Sequence, residues 1–210
     1  MDKIMELESR FPALKVCSSE VKKAVDVIVD CYKNGGKVLI CGNGGSSSDS
    51  AHIVGELMKG FLKCRPLSAQ KRTELKKNCP ALSDALLDNL QGSLSAINLT
   101  ENSGLISAFA NDVEPANVYA QQVLGHGKPG DILIGLTTSG NSANVLNACY
   151  VAKGLGLTVI GLTGRDGGKL KEASDISIIV PETETFKIQE LHLPVYHCIC
   201  AMVEEAFFAE

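Results

Sequence analysis

The sequence predicts a doubly wound α/β fold, a five-stranded parallel sheet with helices on both faces. Three observations carry this: five short apolar runs, helical patterns between most of them, and glycine- and hydroxyl-rich loops after two of the runs. The first helix is read at Glu20 to Lys33, where Val21, Ala24, Val25, Ile28, Val29 and Tyr32 recur at helical spacing; Ser18 or Ser19 can cap it and Gly35-Gly36 stops it. Lys37-Val-Leu-Ile-Cys41 is the first strand, and similar runs follow at Ser95 to Leu99, Asp131 to Leu136, Leu157 to Leu162 and Ile176 to Val180. Helical patterns fall at Ser50 to Phe61, Ala81 to Leu90, Pro115 to Leu124 and Ser142 to Lys153.

The rhythm breaks at Phe61 to Asn78, which carries Lys63, Arg65, Lys71, Arg72, Lys76 and Lys77 with few apolar positions. It reads as an excursion between core elements, with a solvated basic face as the plain reading and a lid over an anionic substrate as the sharper one. Thr185 to Phe208 reads as a long helix that Pro194 either kinks or starts.

A chain of 210 residues suffices for one well-buried α/β core, so a single domain over residues 1–210 is expected. With 20 basic and 24 acidic residues the formal charge is −4, which offers no general attraction to nucleic acid or an anionic membrane. The start, Met1-Asp-Lys-Ile-Met-Glu-Leu-Glu, lacks the pattern of a secretory signal, and no apolar run approaches membrane-spanning length. A cytoplasmic location is therefore expected. The eight cysteines form no CxxC pair and read as reduced, with Cys31, Cys41 and Cys149 as small core hydrophobes.

In a parallel sheet of this kind ligands bind beyond the carboxyl ends of the strands. The loop Cys41-Gly-Asn-Gly-Gly-Ser-Ser-Ser-Asp-Ser50 runs straight into a helix, gathering amides and hydroxyls at a positive helix end, so Asn43, Gly44, Gly45 and Ser46 are candidate phosphate contacts. Neither a Gly-Lys-Ser/Thr phosphate loop nor GxGxxG spacing is present, which argues against a nucleotide cofactor. A second loop, Leu136-Thr-Thr-Ser-Gly-Asn-Ser-Ala-Asn144, repeats the arrangement with Thr137, Thr138, Ser139 and Ser142. Hydroxyls and amides without a lysine suit reversible holding of a sugar monophosphate.

His52 and Glu56 stand four residues apart on one helix face, where they either form a surface contact or share a ligand. The last helix offers Gln189, His192 and His197, as satisfied core groups or as partners for zinc or another divalent ion. Eight helical residues separate Gln189 from His197 by about 12 Å, which strains a shared metal. A bend near Pro194, side-chain reach, or a ligand from a neighbouring subunit would each reconcile them.

Gly42-Asn-Gly-Gly-Ser-Ser-Ser-Asp-Ser-Ala-His52 with Glu56, Thr138-Ser-Gly-Asn-Ser-Ala-Asn144, and Ile188-Gln-Glu-Leu-His192 followed by His197 resemble the phosphoheptose isomerases of the SIS (sugar isomerase) superfamily, with Asn111-Asp112 in the family's order between the two loops. The resemblance covers most of the chain. It implies a flavodoxin-like SIS fold, with residues 61–90 as an insertion, and an enzyme interconverting sedoheptulose 7-phosphate and D-glycero-D-manno-heptose 7-phosphate through an enediol. It further implies that Ser46, Thr138, Ser139 and Ser142 hold phosphate, that Asp112 contacts substrate, and that His52, Glu56, Gln189 and His197 surround a zinc site. Glu56 is then the candidate base and His197 the candidate acid. A homotetramer with sites at subunit interfaces is also implied. Two features depart from the family pattern: the longer 61–90 stretch, and Phe186 where a polar residue is expected. The competing readings are a non-catalytic SIS-domain phosphosugar-binding regulator, a replication-initiator-binding protein, and a sugar kinase, the last opposed by the missing phosphate-loop lysine.

Overall fold

All five apolar runs form strands, and the computed structural model, which describes residues 2–208, joins them into one parallel sheet. In chain order the elements are α1 (Lys3–Arg10), α2 (Ser18–Lys33), β1 (Val38–Gly42), α3 (Gly45–Met58), α4 (Ala69–Asn78), α5 (Asp84–Asp88), β2 (Ala96–Asn98) and α6 (Ser103–Asp112). Then come α7 (Val118–His126), β3 (Ile132–Leu136), α8 (Ala143–Gly154), β4 (Thr158–Thr163), α9 (Gly168–Ala173), β5 (Ile176–Ile179) and α10 (Thr185–Phe207).

Strand order is β2-β1-β3-β4-β5. Val38 of β1 registers with Ala96 on one side and Ile132 on the other, and Ile134 registers with Ile160. The chain leaves β1 toward β2, then crosses back to β3, so the connections diverge between β1 and β3. A crevice opens at such a switch point beyond the carboxyl ends of the two strands. The two hydroxyl-rich loops emerge there.

Alternation along the strands feeds two cores, because successive side chains point to opposite faces. Val38, Ile40, Ile132, Ile134, Ile160 and Ile178 pack with α2, α3 and α10, whereas Leu39, Cys41, Leu133 and Val159 pack with α7, α8 and α9. The central cysteines belong to these layers, and burial pushes the Cys149 thiol up to about 12. All eight cysteines are free. Among the described residues no helix is long and apolar enough to cross a membrane.

Several elements differ from the sequence expectation. Helix α3 begins at Gly45 rather than Ser50, and the Ser50 hydroxyl turns back to the Ser46 carbonyl (2.8 Å). The helix expected at Ala81 to Leu90 shrinks to the five residues of α5, started by the Ser83 side chain accepting from the Leu86 amide. Pro194 lies inside α10, not in its first turn. Helices α1, α4, α6 and α9 have no counterpart in the expectation; α4 and α6 bury no residue fully, so apolar periodicity gives them little signal.

The excursion leaves and rejoins the body at one neck. Pro66 bridges Gln91, the Gly92 amide donates to the Arg65 carbonyl, and the Gly60 amide donates to Gln91 Oε1 (2.8 Å). Its basic character is largely neutralised: Arg72 pairs with Asp84 and Asp88, and Lys76 with Asp84. Arg65, expected on a solvated face, is instead wholly buried.

Candidate functional site

The two loops form one cradle. It is lined by Asn43, Gly44, Gly45, Ser46, Thr137, Thr138, Ser139, Ser142, Thr185 and Gln189, so every candidate from both loops is present. Gly44 turns the chain at φ +58 into α3, whose first amides then face the cradle. A Cβ on Gly45 would stand 2.5 Å from the Gln189 Nε2 atom, so glycine here admits that amide. Thr137 and Ser142 hydroxyls pair at 2.8 Å. Asn43 and Asn144 exchange reciprocal amide hydrogen bonds, both 2.9 Å, and the Tyr119 hydroxyl donates to Gly42 O and Asn43 Oδ1. These contacts fix the spacing of the loops. Without a lysine, the cradle offers directed donors at a helix end, suited to an anion of phosphate size.

Helices α3 and α10 run side by side in the same sense. Gly45 meets Gln189 at their starts, and farther along His52 meets Tyr196 and His197, with nearly the same sequence offset. Seven residues of α3, about 10 Å, therefore separate the cradle from a second cluster. There His52 Nε2 lies 3.2 Å from Glu56 Oε1 and 3.4 Å from His197 Nε2. The second Glu56 oxygen accepts from Lys59 Nζ at 3.3 Å, and the carboxylate is buried. The Tyr196 hydroxyl lies 3.0 Å from His52 Nδ1 and donates to Asp49 Oδ1 at 3.3 Å. Burial and neighbouring His52 both push the His197 pKa down. Burial also raises Asp49.

Two imidazoles and a carboxylate are the nitrogen and oxygen donors that zinc and similar ions take, and ligands on a tetrahedral zinc stand roughly 3.3 Å apart. The two contacts through His52 match that edge. Among the described residues, however, no group of three or more His, Cys, Asp or Glu side chains is gathered to hold an ion as it stands. Gln189 lies at the cradle against Gly45, one end of the site, while His197 lies at the other. Asn111 and Asp112, at the end of α6, hydrogen-bond to each other (2.8 Å) and are not among the cradle-lining residues.

His192 belongs to neither cluster. It is fully buried, neither ring nitrogen has a hydrogen-bond partner among the described residues, and burial pulls its pKa down to about 4, with the nearby Thr163 backbone opposing. Between about pH 6.5 and 4 the unfolded chain binds a proton there that the native state refuses. Native stability should therefore fall as pH drops through that window, by on the order of 3 kcal/mol from this group alone. Urea midpoints across the window, in chelator, check this: His192→Asn should flatten the slope, and an unchanged slope assigns it to other groups.

Sequence reasoning missed Thr185, Tyr196, Asn144 and Lys59. Tyr196 adjoins His197 and Lys59 follows Glu56 by three, so proximity on a helix was the available signal; Asn144 reaches Asn43 only through the sheet topology.

The SIS domain family model matches residues 6–98 and 92–164. The phosphoheptose isomerase of Rhodospirillum rubrum is 38% identical over 196 residues, covering 93% of this chain and 90% of that one. That of Clostridium acetobutylicum is 37% identical over 191 residues, covering 91% and 84%. Among solved structures, phosphoheptose isomerase GmhA from Neisseria gonorrhoeae superposes with a TM-score of 0.75 at 31% identity, over 96% of this chain and 93% of that one.

Proposed function

The chain belongs to the phosphoheptose isomerases of the SIS-domain family, and from that premise we propose that it interconverts sedoheptulose 7-phosphate and D-glycero-D-manno-heptose 7-phosphate with Glu56 and His197 as its proton-transfer pair. The observation carrying the assignment of the two ends is the parallel pairing of α3 and α10, which sets the hydroxyl cradle about two helical turns from His52 and His197 and about three from Glu56. A ligand reaches both only if its phosphate and its reacting carbons sit at opposite ends of a long chain.

The cradle residues Asn43, Gly44, Gly45, Ser46, Thr137, Thr138, Ser139 and Ser142 hold the phosphate. The Glu56 carboxylate removes a proton from C1 of the open-chain ketose, and the C–H electrons form the C1–C2 double bond while His197 delivers a proton to the C2 oxygen. From that enediol, His197 takes the proton of the C1 hydroxyl and Glu56 returns its proton to C2, leaving the aldose with no net gain or loss. His52, Glu56 and His197 would hold a divalent ion such as zinc, which when bound supplies polarisation of the carbonyl and stabilisation of enediolate charge, while Gln189 stands apart from them at the cradle end. The two Glu56 oxygens face different partners, His52 and Lys59, so one can face an ion while the other accepts the proton.

The proposal extends to a single SIS domain over residues 1–210, with 61–90 as an insertion; Met1 and residues 209–210 lie outside the described residues. It further places the protein in the cytoplasm, in keeping with its free cysteines. Assembly as a homotetramer is proposed because α6 buries no residue fully and ends in Asn111 and Asp112, which then contact substrate at a subunit interface.

The test is isomerisation of sedoheptulose 7-phosphate by purified protein, before and after chelation and zinc addition, beside pentose and hexose phosphates. Zinc-dependent conversion of the heptulose is expected. Binding across the panel without conversion would instead support a non-catalytic phosphosugar-binding regulator.

A further inference from the structure

We infer that Arg65 is a positioning residue for Glu56 and His197, acting from the neck of the excursion through a buried pair with Glu204. The inference rests on the proton-transfer roles proposed above.

The Arg65 side chain is 0% exposed and that of Glu204 1%. Nε donates to Glu204 Oε1 (2.8 Å), one terminal nitrogen to the Leu57 carbonyl (2.8 Å), and the other to the carbonyl of Glu56 itself (3.0 Å). Glu204 is saturated from the other side by the amides of Phe61 (2.8 Å) and Leu62 (2.7 Å). Burial alone would raise its carboxyl, yet these amides and the guanidinium hold it below the usual range. The Phe208 ring closes over the guanidinium at 4.6 Å.

A buried ion pair is weak evidence for stability, since desolvation opposes the attraction. This one supplies a rigid geometric link. A planar fork at the carbonyl-rich end of α3 fixes the backbone of Glu56 and favours that helix terminus. Glu204 follows His197 by seven residues, two turns along α10, so the same guanidinium fixes the helix that presents His197. The pair thereby sets the spacing of α3 and α10 where their acid and base face each other. Arg65 also accepts the Gly92 amide at the neck, which ties the excursion to that spacing. The cradle, about three turns away along α3 on other contacts, is outside its reach.

Arg65→Lys keeps the charge but loses the fork; Glu204→Gln keeps the size and one acceptor oxygen. Both variants should fold, with kcat down roughly ten- to hundred-fold, the cost of a misplacement near 1 Å. KM for the heptulose phosphate and affinity for inorganic phosphate should stay within about two-fold, while the His52 and His197 imidazole resonances shift. Folded variants with parental kcat and unshifted imidazoles overturn the inference, as does a joint loss of kcat and phosphate affinity, which indicates general loosening. Failure of both variants to fold also overturns it, marking the pair as a stability element. If the parent does not turn over the heptulose, the functional reading falls, and the substrate-free imidazole shifts still decide the role of Arg65.

Discussion

In Glu56→Gln, kcat should fall on the order of a thousand-fold while KM and inorganic phosphate affinity change by no more than a few-fold. The split follows from the layout. The phosphate donors lie on the loops after β1 and β3, whereas Glu56 lies three turns into α3, beside His52 and Lys59. An amide is isosteric and keeps a hydrogen-bond acceptor for Lys59, so packing is preserved, but it has no basic oxygen to take a carbon-bound proton. Solvent deuterium entering at C1 or C2 of the sugar reads that step directly, and it should vanish with turnover. Zinc affinity measured on the same variant separates loss of the base from loss of a metal ligand. Parental turnover in the amide variant would remove Glu56 from the mechanism.

How far this site was legible in the sequence depended on the range of the interactions that build it. His52 and Glu56 lie four residues apart on one helix, a spacing that fixes their proximity before any tertiary contact forms. The two hydroxyl loops were equally visible, because each follows a buried β-run and opens a helix. The parallel order 2-1-3-4-5 could only be inferred as a class, yet it is this order that brings Asn43 to Asn144. Arg65 shows the opposite case. Amid Lys63, Lys71 and Arg72 its local sequence signals solvent, and it is Glu204, 139 residues away, together with the Glu56 and Leu57 carbonyls, that makes burial tolerable. The helical pairing that aligns Gln189 with Gly45 and His197 with His52 likewise resolves the 12 Å objection in a particular way: the two side chains serve opposite ends of one elongated site, about two turns apart.

That elongated site depends at its phosphate end on one backbone approach, and Gly140→Ala should destroy it. Gly140 adopts φ +68, and a Cβ there would lie 2.0 Å from the Gly167 carbonyl oxygen and 2.9 Å from the Gly168 Cα. The opposing atoms are backbone, so no rotamer change relieves the clash; the loops after β3 and β4 must part. They are latched by the Leu170 amide donating to Gly140 O (2.9 Å) and the Lys169 amide donating to Asn141 Oδ1 (3.2 Å), bonds that separation breaks. Stability should drop by on the order of 3 kcal/mol or more. Inorganic phosphate affinity should fall at least about ten-fold, because Ser139 and Ser142 ride on the displaced loop. Gly35→Ala is the matched control: its φ is +76, but among the described residues nothing lies within 4 Å of the added Cβ. It carries only the left-handed strain of about 1 to 2 kcal/mol, and phosphate binding should be intact. Urea unfolding and phosphate titration of both variants distinguish the two costs. Equal, small losses in both would mean that the β3 and β4 loops can separate freely, and that the cradle does not need the contact between them.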